Sequence, residues 1–284
     1  RMPIVRLVEG TGGGGSVKTL EMTGFTYVPV NPGWDHVVDN MSVVPVVAAG
    51  LGLGAARLCM AHLSILVRGT AQLFVAGPPV VRGGTGEDVT KEELGGAAIH
   101  ARSGAVDLIA DGEEEAFALI RRFLSYLPRS VYERPPVTAC EDPPGRADES
   151  LATAIPRSRR QPYRIRPILA AILDAGSVME IQGYGGPVLT ALGRLDGHPV
   201  GIVAGDPYSA GGGMTVEGAE ALMRLADLCS TFHLPIVTFT DQVSLYQNGE
   251  NISAFHVNNA HTDGDAIVWF RTSNVIHMGD TYFR

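Results

Sequence analysis

Short apolar runs alternate with helical periodicity along most of the chain. Continuous apolar runs, typical of strands buried on both faces, occur in "PIVRLV", "SVVPVVAAG", "HLSILV" and "QLFVAG". A helix is predicted over "EEEAFALIRRFLSYLP", which has acids in its first turn, apolar residues at positions 117, 119, 120, 123, 124 and 127, and Pro128 at its end. Strands that alternate with helices predict an α/β fold.

The pattern resumes after residue 166. "IRPILAAILDAG" predicts a helix with a glycine stop, and "PVLTALGRLDGHPVGIVAGD" predicts a hairpin around an Asp-Gly turn. "TVEGAEALMRLADLCSTFH" predicts an amphipathic helix with a threonine cap, followed by the buried strand "LPIVTFTD". These patterns predict a first domain over residues 1–130 and a second over residues 167–242.

Residues 131–166 are rich in proline, arginine and acids, which predicts a linker. The segment contains five arginines that could meet a phosphate or an acidic partner, at positions 157, 159, 160, 164 and 166. A solvated linker with local ion pairs is the preferred interpretation.

Composition narrows the class of protein. The 284 residues are 45% hydrophobic and 18% charged, with a formal net charge of −8. This balance favours a globular fold, and we expect no nucleic-acid partner and no membrane partner. The longest apolar stretch, Val43 to Leu53, is too short to span a bilayer. Three widely spaced cysteines, without metal-ligand spacing, predict a reducing, cytoplasmic location.

Glycine clusters follow several predicted strands, at residues 12–15, 50–54 and 211–213. Glycine permits a close backbone approach, so such turns can bind an anion or stabilise an oxyanion or enolate. From the pattern alone, such a cluster more often reflects turn geometry than chemistry. None matches a nucleotide P-loop, the dinucleotide fingerprint is only partial, and no G-x-S-x-G is present.

Three long stretches carry a family resemblance: "AQLFVAGPPVVRGGTGEDVTKEELGGAAIHARSGAVDLIADGEEEAFALIRRFLSYLP", "RPILAAILDAGSVMEIQGYGGPVLTALGRLDGHPVGIVAGDP" and "GGGMTVEGAEALMRLADLCSTFHLPIVTFTDQ". They resemble, in order, the carboxyltransferase (beta) subunits of biotin-dependent acyl-CoA carboxylases of the acetyl-, propionyl- or methylcrotonyl-CoA type. The resemblance covers about residues 1–242.

The resemblance implies two crotonase-like domains, both partial in this chain. It implies that the first domain binds acyl-CoA and that the second receives carboxybiotin from a partner carrier protein. Biotin carboxylase and biotin carboxyl carrier components would be partners, and the chain would form a homo-oligomer. The enolate would be held by the backbone N–H groups of Gly54 and Ala55, although the family has glycine at the second position.

Two other features follow from the same resemblance. Gly13, Gly14 and Gly15 correspond to a turn near the acyl-CoA pocket. The family continues beyond "TFTDQ" with residues that this chain does not share, so we expect the biotin half of the site to be missing here.

The last segment has a different character. "SLYQNGENISAFHVNNAHTDGDAIVWFRTSNVIHMGDTYF" predicts three strands, at residues 252–257, 266–270 and 274–278. It resembles part of the metallo-β-lactamase superfamily, which implies His261 as a metal ligand and Asp280 as a bridging carboxylate. The family's H-x-H-x-D-H cluster is lacking, so both would be vestigial, and we expect no tightly bound metal.

We therefore expect a junction near residues 242–244, with residues 243–284 as a separate fragment. Three hypotheses follow: a carboxyltransferase, a metal-dependent hydrolase that uses the tail, and a non-catalytic chimeric or truncated chain that retains at most CoA affinity. The carboxyltransferase is preferred because its resemblance covers most of the chain.

Overall fold

The computed structural model describes most of the chain before residue 240 and the backbone of four strands after it. The described ranges are 1–10, 21–22, 24, 33–54, 56–143, 146–156, 158, 161–184, 186–239, 242–247, 250–256, 266–270 and 275–277.

The first half is built on a parallel four-stranded sheet in the order β1-β2-β4-β6. Its strands are β1 (Ile4–Val8), β2 (Val46–Gly50), β4 (Leu63–Val67) and β6 (Leu108–Ala110). Every residue of β2 and β4 is buried, which confirms the buried strands that the sequence predicts. A second, two-stranded parallel sheet pairs β3 (Leu53–Gly54) with β5 (Gln72–Leu73).

Six helices lie within the described part of this half: α1 (Trp34–Met41), α2 (Ala56–Cys59), α3 (Pro78–Thr85), α4 (Lys91–Gly95), α5 (Ala97–Ser103) and α6 (Glu113–Tyr126). The predicted helix is α6, and it buries Ala116, Ile120, Phe123 and Tyr126 on one face. The strand predicted in "QLFVAG" is limited to Gln72 and Leu73, because the chain then turns into α3, which begins with Pro78.

The second half carries a mixed sheet in the order β10-β9-β8-β7. Its elements are α8 (Ile165–Ile172), β7 (Met179–Ile181), β8 (Val188–Leu195), β9 (His198–Gly205), α9 (Val216–Phe232) and β10 (Ile236–Phe239). Strands β8 and β9 form the predicted hairpin, and both turn residues, Asp196 and Gly197, have positive φ angles. The Thr215 hydroxyl accepts from Gly218 N and caps α9 as predicted.

The connecting segment, which contains the short helix α7 (Leu151–Ala154), lies against the second half. The Arg146 guanidinium donates to Ala171 O and Leu173 O, both at 2.7 Å. Thr138 N donates to Gly197 O at 3.1 Å, beside the β8–β9 turn. This segment is therefore attached at several points rather than freely solvated.

One hydrophobic core cluster joins the two halves. It contains Phe123 of α6 together with Phe232 of α9, Leu192 of β8 and much of β2 and β4. A smaller cluster lies around Ile165 and contains Leu189 and Ile202. The shared cluster means that burial stabilises each half against the other.

The C-terminal strands form an antiparallel sheet in the order β11-β12-β13-β14. They are β11 (Gln242–Gln247), β12 (Glu250–His256), β13 (Ala266–Phe270) and β14 (Val275–His277). The last three confirm the predicted strands to within two residues, whereas β11 spans the predicted junction and was not expected. An antiparallel meander occurs in many folds and does not identify a hydrolase.

None of the described helices is long and apolar enough to cross a bilayer.

Candidate functional site

The glycine-rich segment 50–54 leaves the carboxyl end of β2 and is held by strands distant in sequence. Leu51 N and Gly52 N both donate to Val8 O of β1, at 3.0 and 3.4 Å. Gly52 O accepts from Gln72 N of β5 at 3.2 Å. The turn is therefore fixed between β1 and β5, which is the preorganisation that a backbone donor site requires.

Glycine is needed here for space. A Cβ added to Gly50 would lie 3.0 Å from Leu58 Cδ2 and 3.2 Å from Leu66 Cδ1. A Cβ on Gly52 would lie 3.3 Å from Glu9 Cγ. The start of the turn is thus packed closely by α2 and β4, and a side chain would displace them.

Strand β5 is held from its other side by the α4–α5 region. A Cβ on Gly95 would lie only 2.1 Å from Leu73 O, so the helix approaches the strand backbone directly. His100 Nε2 lies 2.6 Å from the same carbonyl, and Nδ1 lies 2.9 Å from Ser103 Oγ. A carbonyl only accepts, so in the neutral ring Nε2 carries the proton and Nδ1 accepts from the Ser103 hydroxyl.

A capping box fixes the start of α4. Thr90 Oγ1 accepts from Glu93 N at 3.2 Å, and the Glu93 carboxylate accepts from Thr90 N at 2.9 Å. The hydrogen bonds that Thr90 N and Thr90 Oγ1 donate to the carboxylate lower the pKa of Glu93. The cap positions the short helix that brings Gly95 to β5.

The predicted site residues are only partly described. Gly54 lies in β3, where it pairs with Leu73. Ala55, Gly13, Gly14 and Gly15 lie outside the described residues, as do His261 and Asp280. The structure therefore places Gly54 next to the strand that His100 holds, and the roles of the other residues stay predictions.

A buried ion pair joins the two halves close to this region. Asp107 is 4% exposed, and its Oδ2 accepts from both Ser64 N and Ser64 Oγ at 2.7 Å. Its Oδ1 lies 3.0 Å from Arg224 Nη2, an ion-pair distance without the alignment of a hydrogen bond. Burial raises the pKa of Asp107, and the charge of Arg224 and the Ser64 donors oppose that rise.

Arg224 has two further partners, which lie on opposite sides of the junction between the halves. Its Nη1 donates to Tyr184 Oη at 2.7 Å and to Gly104 O at 3.3 Å. The sequence patterns did not single out His100, Asp107 or Arg224. Apart from Ser103, which lies three residues from His100, the partners named here are 27 to 120 residues away along the chain, so local periodicity carries no signal for them.

A cavity among the described residues lies elsewhere, between α6, α8 and β7. It has a volume of about 370 Å³ and includes Arg122 and Arg166 in its lining. Arg166 is already paired with Glu180 at 2.7 Å and Asp206 at 3.0 Å. Arg122 donates to Gly176 O at 2.9 Å and Val178 O at 2.6 Å. Protein groups already pair with both guanidinium groups, which favours a packing contact between the halves over a ligand-binding site.

Cys140, Asp142 and Asp174 form the one group of potential metal ligands within the described part of the chain. Arg146 Nη1 lies 2.7 Å from Asp142 Oδ2, and this oxygen also accepts from Ala175 N at 2.9 Å. The backbone of the β8–β9 turn donates to both Asp174 oxygens. An arginine and three backbone N–H groups donate to the two carboxylates, which disfavours a cation here.

Comparison with known proteins identifies one family over most of the chain. Residues 35–243, which contain the whole glycine-rich turn, match the carboxyl transferase domain. The chain is 38% identical over 205 residues to the propionyl-CoA carboxylase carboxyltransferase subunit of Haloferax mediterranei. It is 37% identical over 214 residues to the biotin-dependent acetyl-/propionyl-coenzyme A carboxylase beta5 subunit of Mycobacterium leprae.

These matches cover 70% and 72% of this chain but only 40% and 39% of the relatives, so the chain spans about two fifths of their length. A crystal structure of transcarboxylase 12S, described as a hexamer with hydrolysed methylmalonyl-coenzyme A bound, has a TM-score of 0.73 and 26% identity. That similarity covers 84% of this chain and 47% of the transcarboxylase chain. The fold, the order of its elements and the sequence match agree, and the chain belongs to the carboxyl transferase domain family.

Proposed function

We propose that this chain contributes the acyl-CoA side of a carboxyltransferase, as a component of a biotin-dependent acyl-CoA carboxylase. The observation that carries the proposal is the glycine-rich turn at residues 50–54. It lies inside the family match and is fixed by hydrogen bonds to β1 and β5. The similarity to relatives named for acetyl- and propionyl-CoA supports a short acyl thioester as the substrate.

The chemistry requires a place for negative charge on the thioester oxygen. When the α C–H bond breaks, its electron pair forms an enolate whose oxygen carries the charge. In the proposal, the backbone N–H groups of Gly54 and Ala55 donate to that oxygen, and residues 13–15 contact the acyl-CoA. Donors fixed in advance stabilise such an intermediate without reorganisation. Carboxybiotin on a partner carrier protein supplies the CO2 to which the α carbon bonds, and its nitrogen takes the proton.

The proposal extends to the assembly. Biotin carboxylase and the biotin carboxyl carrier protein would be partners, as the relatives' names indicate a biotin-dependent enzyme. We propose a homo-oligomer, by similarity to the transcarboxylase described as a hexamer.

The reverse half-reaction tests the donor site. Decarboxylation of malonyl-CoA forms the same type of enolate, so acetyl-CoA release can be followed by chromatography with free biotin present. Ala55→Pro removes one N–H donor and should slow release about 10²-fold or more. Ala55→Gly keeps the N–H and is the matched control, with release near the wild-type rate. Equal rates in both variants, at equal thermal stability, would reject these donors.

The hydrolase hypothesis for residues 243–284 has a separate test. The structure describes four strands here, and His261 and Asp280 lie outside the described residues. Two ligands do not hold a catalytic zinc, so we expect less than one zinc per chain after dialysis, measured by mass spectrometry. Stoichiometric zinc that is lost in His261→Ala would revive the hydrolase hypothesis.

A further inference from the structure

Helix α9 of the second half extends one side chain to the end of helix α5 in the first half. The Arg224 guanidinium lies 3.0 Å from the buried carboxylate of Asp107 and donates to Gly104 O at 3.3 Å. Gly104 ends α5 with a φ angle of 71°. The same guanidinium donates to Tyr184 Oη, and Gly183 N donates to Asp107 O at 3.3 Å. The junction is therefore made by both backbone and side chains.

Burying the two charges of this ion pair costs free energy. A buried charge pair of this kind often contributes no more stability than well-packed apolar side chains would, because both charges must leave water. The halves already share a large hydrophobic cluster. Fixed geometry is what the pair adds, since the planar guanidinium contacts three groups in defined directions.

A short series of contacts leads from Arg224 to the candidate donor site. Gly104 terminates the helix that carries His100 and Ser103, and His100 Nε2 bonds Leu73 O at 2.6 Å. Leu73 pairs with Gly54 in the β3–β5 sheet. Any displacement of the end of α5 is transmitted to this sheet through groups that are already in contact.

We propose that Arg224 is a positioning residue for the acyl-CoA site: by binding Asp107, Gly104 and Tyr184 it fixes α5, and through His100 and Leu73 it fixes the backbone at Gly54. The inference rests on the proposed function for its ligand. It also makes the first-half site depend on the second half within one chain, independently of any partner subunit.

The test removes the pair without leaving a buried charge. The double variant Asp107→Asn/Arg224→Met eliminates both charges, and Arg224→Lys retains the charge but not the planar fork. Arg122→Met is the matched control. Arg122 of α6 also joins the two halves, because it donates to Gly176 O and Val178 O, but it does not belong to the series of contacts that leads to Gly54. For each full-length variant, calorimetry with propionyl-CoA gives Kd, and a thermal scan gives the unfolding midpoint.

We expect Kd to rise about tenfold in the double variant, to rise less in Arg224→Lys, and to stay unchanged in Arg122→Met. Hydrogen exchange without ligand should accelerate in peptides that cover residues 50–54 and 70–74 in the double variant alone. Equal weakening of binding by Arg122→Met, or wild-type Kd and exchange in the double variant, would overturn the positioning role. If the wild-type chain binds no propionyl-CoA, the proposed function fails, and the exchange rates alone decide whether Arg224 positions the turn.

Discussion

The two halves of the molecule both place glycine-rich segments after a buried strand, but they hold them differently. In the first half, segment 50–54 is bonded to strands β1 and β5, more than 15 residues away along the chain. In the second half, segment 206–213 is bonded mainly to itself: Ser209 N, Gly212 N and Gly213 N donate to carbonyls three residues earlier. Two glycine-rich segments thus form one turn that is held by distant strands and one that is held mainly by its own backbone hydrogen bonds.

The difference shows why glycine content alone does not identify a binding site. In the second-half turn, glycine provides a conformation, since Gly211 and Gly212 have φ angles of 66° and 76° and a Cβ on Gly211 would meet nothing. In the first half, glycine provides room for close packing, as at Gly50 and Gly95. In the first arrangement two successive N–H groups and a carbonyl are fixed against distant strands, as a preorganised donor site requires, whereas in the second, among the described residues, only Asp206 N bonds a distant carbonyl, Pro187 O.

Breaking the ion pair between the halves should cause the largest loss of stability. Arg224→Met alone leaves the Asp107 carboxylate buried without its counter-charge, and we expect a loss of about 4 kcal/mol in the free energy of unfolding. Urea denaturation at pH 7 measures it. Adding Asp107→Asn should recover much of the loss, and a double variant no more stable than the single one would contradict this account.

Glycine substitutions compare a glycine that provides room for close packing with one that provides a conformation. Gly95→Ala places a methyl group 2.1 Å from Leu73 O, which should cost about 3 kcal/mol and abolish acyl-CoA binding. Gly211→Ala only forces alanine into the left-handed region, at a cost of about 1 kcal/mol. Denaturation and calorimetry on both variants provide the test. Equal effects of the two substitutions would remove the distinction between the two uses of glycine.

Acid should weaken the contact between the first-half sheet and α9. His62 Nδ1 accepts from Val46 N at 3.0 Å, and its ring lies edge-on to Phe232. Burial lowers the pKa of His62 from 6.5 to about 4, so the folded state resists protonation more than the unfolded chain. Its stabilising contribution is complete above pH 6.5 and is lost as pH falls towards 4.

This group should remove about 2 kcal/mol from the free energy of unfolding between pH 7 and pH 5. Denaturant titrations at several pH values, on the wild type and on His62→Gln, isolate its share. The glutamine variant should change less over this interval. Identical pH profiles for the two proteins would show that His62 does not cause the acid sensitivity.

Exposed ion pairs of the first half should contribute least to stability and to acyl-CoA affinity. Arg68 bonds Asp111 at 2.8 Å, but the two side chains are 57% and 80% exposed. Solvent screens such a pair, so Arg68→Ala should leave both the unfolding free energy and acyl-CoA affinity unchanged within error. A clear loss would show that β4 and β6 depend on their exposed ends.

Sequence patterns predicted the elements that depend on local periodicity. Helices α6 and α9, the hairpin at Asp196-Gly197 and the buried strands β2 and β4 occur as predicted. Helix α8 also occurs, but it ends at Ile172, before the predicted glycine stop at Gly176. The resemblance directed attention to Gly54, and the structure places this residue in β3. The patterns could not show that His100 holds β5 or that Arg224 meets Asp107, because these contacts exist only once the halves have packed.

The most direct test of the central claim is hydrogen exchange on the intact chain with and without propionyl-CoA. The account predicts that the ligand slows exchange in peptides covering residues 50–54, 70–74 and 95–103, and leaves residues 206–213 unchanged. Protection confined to residues 206–213, or binding with no protection in the first half, would contradict it.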